Sequence, residues 1–194
     1  MAGISRLRSF VRELTTGVDR YPDDELRLLE LTSDLLRDLV SHDDWIPPAF
    51  AEAHPDHYQQ YVLHCDPLER FSVVSFVWGP GQMTPIHNHT VWGVIGILRG
   101  SETCEEFQLE DGQAVSTGTH TLEVGQIDRV SPTIGDIHRV ANARPDGPSV
   151  SIHVYGANIG AVERATFDPD GGSSRFISGY SNDVTPNLWD RSEE

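Results

Sequence analysis

From about Tyr61 onward the chain breaks into short apolar and β-branched runs separated by Gly, Pro, Asn and Asp. This rhythm limits the fold more than any other feature, because runs of roughly four to eight residues between turn formers suit strands and are too short for helices. Residues 71–78 end at Gly79-Pro80-Gly81, 91–98 at Arg99-Gly100, 119–124 at Gly125 and 150–155 at Gly156. The pattern predicts a mainly β domain, a sandwich or a barrel. The first fifty residues read differently. Ile4, Leu7, Phe10, Val11 and Leu14 recur at helical spacing, as do Leu28, Leu31, Leu35 and Leu39 after an acidic start at Asp23 and Asp24. Pro47 and Pro48 end that region. One domain is expected: a helical segment over 1–53, the β barrel over 54–168, and a C-terminal loop or tail over 169–194 that packs back through Phe176, Tyr180 and Trp189.

The 194 residues carry a formal charge of −16. That field repels phosphate backbones and anionic headgroups, so no nucleic-acid or membrane partner is expected, and an anionic small substrate would need a local cation. Cys65 and Cys104 lie at no metal-ligand spacing, and a chain of this size needs no disulfide, which points to reduced thiols in the cytoplasm. No signal peptide is visible in residues 1–18, and no run approaches a membrane span.

The chemistry is concentrated in histidines. His87-Asn88-His89 puts two imidazoles on one face of an extended chain, and His138 follows the Gly135 turn at the start of another strand. Three neutral imidazoles suit a divalent first-row metal and leave coordination positions open. Such pairs also occur as ordinary surface or core histidines, so the flanking residues matter. Gly81-x5-His87-x-His89-x3-Gly93-x6-Gly100 reproduces the spacing of the first cupin motif, and Pro132-x2-Gly135-x2-His138-x3-Asn142 resembles the second. Gly93 stands where cupins usually carry a carboxylate ligand.

A three-histidine cupin site without its acid resembles the cysteine dioxygenase family, and the resemblance extends from about Tyr58 to Arg164. It implies a cupin-type antiparallel β-barrel (jelly roll) with N-terminal α-helices, and one Fe(II) per chain held by His87, His89 and His138. It also implies a small thiol and O2 as substrates. Ser151, His153 and Tyr155 alternate with Ile152 and Val154, so the polar three share one face of a strand. They look like the family's outer-sphere triad, in which serine orients the imidazole and the imidazole holds a tyrosine that donates to oxygen or substrate. In mammalian members a cysteine is crosslinked to this tyrosine; that position aligns with Gly93, so the chain looks like the bacterial branch with an unmodified Tyr155.

Members that oxidise cysteine carry an arginine where Gln60 aligns. A neutral amide there, with an arginine downstream of the tyrosine, resembles 3-mercaptopropionate dioxygenases, and Arg164 fits that second position. The expectation is conversion of a small thiol carboxylate, 3-mercaptopropionate preferred, to its sulfinate by a monomer or homodimer. Cysteine as substrate, a non-catalytic metal-binding cupin, and a cupin isomerase or zinc hydrolase are the competing readings.

Overall fold

The computed structural model describes residues 3–191. Two helices come first, α1 (Ile4–Arg20) and α2 (Glu25–Val40). Their apolar spacing becomes a buried face: Leu7, Phe10, Val11, Leu14 and Val18 on α1, and Leu28, Leu29, Leu36, Leu39 and Val40 on α2. The acidic start of α2 is a cap, in which the Asp24 carboxylate accepts the Arg27 backbone N–H at 3.0 Å. Such a cap contributes about 1 kcal/mol.

Eleven strands follow among the described residues: β1 (Gln59–Cys65), β2 (Ser72–Trp78), β3 (Ile86–His87), β4 (Gly93–Arg99), β5 (Ser101–Glu110), β6 (Gln113–Glu123), β7 (Ile127–Val130), β8 (Ile137–Asn142), β9 (Ser149–Tyr155), β10 (Arg164–Phe167) and β11 (Ser173–Phe176). They form two antiparallel sheets, ordered β1-β2-β9-β4-β7 and β11-β10-β3-β8-β5-β6. The fold is the mainly β, helix-preceded cupin barrel that the sequence predicts.

The helices cover the outside of the first sheet. Val73, Val77, Val94, Leu98, Val150, Ile152 and Val154 join the helical leucines in one core cluster. Each fully buried side chain of this kind contributes about 1.5–3 kcal/mol relative to exposure. Both faces of β2 and β9 are therefore buried, which explains why β2 reads as an unbroken apolar run. The same packing decides the fate of the alternating strand β9. Its apolar residues go out to the helices, so Ser151, His153 and Tyr155 must point in, between the sheets, and an amphipathic strand with a solvated polar face is not what forms.

The segment after Asp168 differs from the expected loop, since β11 pairs with β10 in register Arg164↔Phe176. Beyond it the chain runs along the open edge of β1: Ser181 N–H donates to Gln60 O at 2.8 Å, and Asn182 exchanges bonds with both Val62 N–H and Val62 O. Hydrogen bonding to an exposed strand edge fixes the tail where apolar periodicity is missing. Leu188 supplies its buried anchor, whereas Trp189, expected to pack inward, is 58% exposed.

Candidate metal centre and substrate pocket

β3 and β8 lie side by side with His87 opposite His138, and His89 follows two residues after His87. The fold thus brings the three histidines together, with their candidate ligand atoms all within 4.8 Å of one another. All three are buried. Burial, reinforced by their neighbouring imidazoles, holds His87 and His138 well below the usual histidine range, in the neutral form that a metal requires.

Hydrogen bonds on the far side of two rings set which nitrogen faces inward. His87 Nδ1 lies 3.1 Å from Pro85 O, and a carbonyl can only accept, so Nδ1 carries the proton and Nε2 keeps its lone pair. His89 Nδ1 lies 3.0 Å from Asp136 Oδ1, and the same carboxylate accepts the backbone N–H groups of His89 and Thr90. Asp136 is a residue of the candidate site that sequence reading did not single out, although it stands within the Gly135-Asp136-Ile137-His138 motif. Next to a glycine turn, an aspartate reads as turn chemistry.

His89 Nε2 is buried with no hydrogen-bond partner. A buried orphan nitrogen costs about 1–3 kcal/mol unless something takes its lone pair. A cation between the three rings does so, and the donor set therefore fits a first-row divalent metal. A second grouping, Cys104 with His120 and Asp128, behaves differently. Two of its members already bind each other, His120 Nε2 at 3.1 Å from Asp128 Oδ2, and the third, Cys104 Sγ, lies 3.5 Å from His138 Nδ1 of the first grouping.

On β9, Ser151 Oγ is 2.9 Å from His153 Nε2, and His153 Nδ1 is 2.8 Å from the Tyr155 hydroxyl. The row lies against the metal centre, with the Tyr155 ring stacked 5.3 Å from that of His89. Burial keeps His153 neutral and pushes the Tyr155 phenol up, so the tyrosine keeps its proton at neutral pH. A Cβ built at Gly93 would come within 2.9 Å and 3.0 Å of two Tyr155 ring carbons, so the ring occupies the space that a side chain there would need.

Arg164 and Gln60 reach the same place from different sheets. Both line a cavity of about 400 Å³ together with Tyr58, Phe76, His87 and Tyr180. Arg164 is buried, stacks its guanidinium 4.7 Å over Phe176, donates to Ser178 Oγ at 2.6 Å and leaves Nε without a partner. Among the described residues it forms no ion pair with a carboxylate. Burial weakens its hold on the proton, but a guanidinium stays charged in any protein environment. Gln60 spends its amide N–H groups on Ser178 Oγ at 3.0 Å and Gly179 O at 2.9 Å. Ser178 thus links the two, another residue the sequence did not single out.

The sequence model of the family described as "Cysteine dioxygenase type I" matches residues 41–166, which hold the three histidines, the Ser-His-Tyr row, Gln60 and Arg164. The chain belongs to the cysteine dioxygenase type I family. Curated proteins named cysteine dioxygenase type 1 from Rattus norvegicus and Mus musculus are each 29% identical over 90 residues, covering 44% of this chain and 44% of theirs. The chain therefore spans under half the length of these relatives. Among solved structures, a Klebsiella pneumoniae protein with a double-stranded β-helix domain has a TM-score of 0.48 at 15% identity, covering 69% of this chain and 97% of the other. An oxalate oxidase has a TM-score of 0.46 at 14% identity over 55% of each chain. No helix among the described residues is long and apolar enough to cross a membrane.

Proposed function

We propose that this chain is a non-haem Fe(II) thiol dioxygenase that converts a small thiol carboxylate, with 3-mercaptopropionate preferred, and O2 to the sulfinate, adding both oxygen atoms to sulfur. The observation that carries the reading is a buried, positively charged Arg164 without a carboxylate partner, in the same cavity as His87. A buried charge left unpaired is expensive, so the site is arranged for an anionic ligand whose other end reaches the histidines.

His87, His89 and His138 would hold one iron, which when bound supplies the redox chemistry that O2 needs to react with a thiolate. The remaining roles belong to side chains. Arg164 grips the substrate carboxylate through its free N–H groups and fixes the thiol end toward the histidines. Gln60 and Ser178 hold the guanidinium in place, so Gln60 acts by position. Tyr58 and Phe76 exclude water from the pocket. Tyr155 presents its hydroxyl proton to the substrate or the incoming oxygen, with His153 and Ser151 fixing its direction.

The choice of thiol rests on charge. The cavity lining contains no Asp or Glu, so nothing there pairs with the ammonium of an amino acid, whereas the carboxylate has its partner. Cysteine is the second reading, favoured by the names of the rat and mouse relatives. Both thiols meet their partners in a reducing compartment, consistent with the free Cys65 and Cys104; the cytoplasm and a monomer or homodimer complete the proposal.

The test is O2 consumption by anaerobically iron-loaded protein with 3-mercaptopropionate and with L-cysteine, alongside sulfinate quantification. Coupled uptake with a large preference for 3-mercaptopropionate supports the proposal. Preference for cysteine overturns the charge argument, and no thiol-dependent uptake overturns the activity.

A further inference from the structure

Behind the Ser-His-Tyr row lies an acid that the proposed chemistry leaves unused. Glu102, on β5, is 0% exposed. Its Oε1 accepts from Ser149 Oγ at 3.1 Å, while Oε2 is buried with no hydrogen-bond partner. Ser151 and the Trp78 indole are its other polar neighbours, and Trp78 Nε1 donates to Ser151 Oγ at 3.3 Å. The residues paired with Glu102 on β8 and β6, Asn142 and Leu122, carry no charge. The titratable groups that share its field are Cys104 on its own strand and Tyr155 at the other end of the row. With no cation beside it, burial pushes the Glu102 carboxyl up to about 8.

We propose that Glu102 is a positioning residue that terminates the Ser151-His153-Tyr155 row and sets the direction in which its hydrogen bonds run. For its effect on turnover, this inference rests on the thiol dioxygenase reading. The argument is a count of protons. A neutral imidazole has one donor and one acceptor, and a hydroxyl has one proton to give. With Glu102 protonated, the unpartnered Oε2 end can turn its O–H onto the neighbouring Ser151 Oγ; Ser151 then donates to His153 Nε2, and His153 Nδ1–H donates to the tyrosine oxygen. The Tyr155 proton is then free to point into the pocket.

When Glu102 loses its proton to solvent, the carboxylate can only accept. Ser151 turns its O–H toward it, His153 presents Nε2–H to Ser151, and the Tyr155 O–H turns to donate a hydrogen bond to Nδ1. Every bond in the row is kept, yet the tyrosine has nothing left to donate. One buried acid, at least two side chains away from the tyrosine, thus decides whether the pocket contains a hydrogen-bond donor.

The direction is readable without catalysis. Long-range ¹H–¹⁵N spectra of the full chain, with Zn(II) added as a diamagnetic occupant of the histidine site, report the His153 tautomer between pH 6 and 10. The expected result is Nδ1–H at the acid end and Nε2–H at the alkaline end, with a midpoint near 8. Glu102→Gln, whose amide remains a donor, should hold Nδ1–H throughout. Ser149→Ala removes a donor to the carboxylate and should move the midpoint upward; it decides the matter if the glutamine variant fails to fold. A wild-type tautomer that ignores pH, a glutamine variant that titrates like wild type, or an unmoved midpoint in Ser149→Ala overturns the inference. In iron-loaded protein, kcat should fall with the same alkaline midpoint in wild type and not in Glu102→Gln; an alkaline limb retained in the variant also overturns it. Absent thiol-dependent O2 uptake with the tautomer shift intact would remove the dioxygenase reading and leave the role of Glu102 in the row standing.

Discussion

The two walls of the pocket are built in different ways. One is barrel: His87, His89, His138 and the Ser151-His153-Tyr155 row stand on strands or directly beside them, and register alone brings them together. The other is borrowed: Arg164 and Gln60 are held by Ser178 and Gly179, residues that follow β11 and reach back across 118 and 119 positions to Gln60. If the proposed function holds, the difference separates chemistry from choice of substrate. On that reading, the barrel wall would hold the metal and the proton donor, and the wall tied down by the tail would hold the charge that grips the substrate carboxylate. The family match covers residues 41–166, so it includes Arg164 and Gln60 but stops short of Ser178 and Gly179, which hold them.

This division can be broken by experiment. The largest effect should come from the barrel wall: His138→Ala should cut bound iron from about one per chain to below a tenth and abolish O2 uptake, while His120→Ala, in the cluster whose atoms already pair, keeps its iron. Metal analysis by mass spectrometry separates the two. Loss of iron in both would erase the distinction between the two clusters.

Next comes Arg164→Ala, which should raise KM for 3-mercaptopropionate by roughly tenfold to a hundredfold, the equivalent of about 1.5–3 kcal/mol for a charged hydrogen bond, with iron content unchanged. An unchanged KM would take Arg164 out of the site. Tyr155→Phe should do the reverse, lowering kcat about tenfold or more and uncoupling O2 use from sulfinate formation while KM changes little. Steady-state kinetics with sulfinate quantification reads both.

Glu102 adds a stability effect of its own. Below about pH 4.5 folded and unfolded chains both hold its proton, and the group costs nothing; between there and about 8 only the folded chain holds it. Stability therefore falls as pH rises through that window, by about 5 kcal/mol. Urea melts at pH 5 and pH 8 should show that slope reduced in Glu102→Gln, and equal slopes would mean the carboxyl is not buried in solution. The smallest effect belongs to Ser178→Ala, which should raise KM only a few-fold, since it removes one neutral contact to Arg164 worth about 0.5–1.5 kcal/mol.

The sequence made the barrel wall legible and the tail wall only partly so. The histidine spacing and the alternation in β9 are local patterns, and local patterns survive folding because strand geometry preserves them. Arg164 could be placed by the family resemblance, but Ser178, Ser181 and Asn182 carry no periodicity; Ser181 and Asn182 bond the edge of a strand far away in the chain, and Ser178 bonds the side chains of Gln60 and Arg164. Strand β11, with the sequence Ser173-Ser174-Arg175-Phe176, has one apolar residue and a Gly-Gly start, so nothing in it announces a strand. Glu102 was hidden for a different reason. In the run from Ser101 to Glu105 the burial alternates, and an acid takes an inward position that hydropathy would give to an aliphatic residue. Such conflicts between local pattern and tertiary placement concentrate at functional sites.

Gly93 has a consequence in evolutionary terms. Two of the four glycine codons lie a single nucleotide from a cysteine codon, so a chain with glycine here and one with cysteine can be a single mutation apart. The Tyr155 ring already fills the space where that cysteine's Cβ would sit. A side chain at Gly93 would meet the Tyr155 ring at 2.9 Å and Val130 at 3.0 Å, so a cysteine there asks for a shift in the packing between β4, β7 and β9 that the codon change alone does not supply.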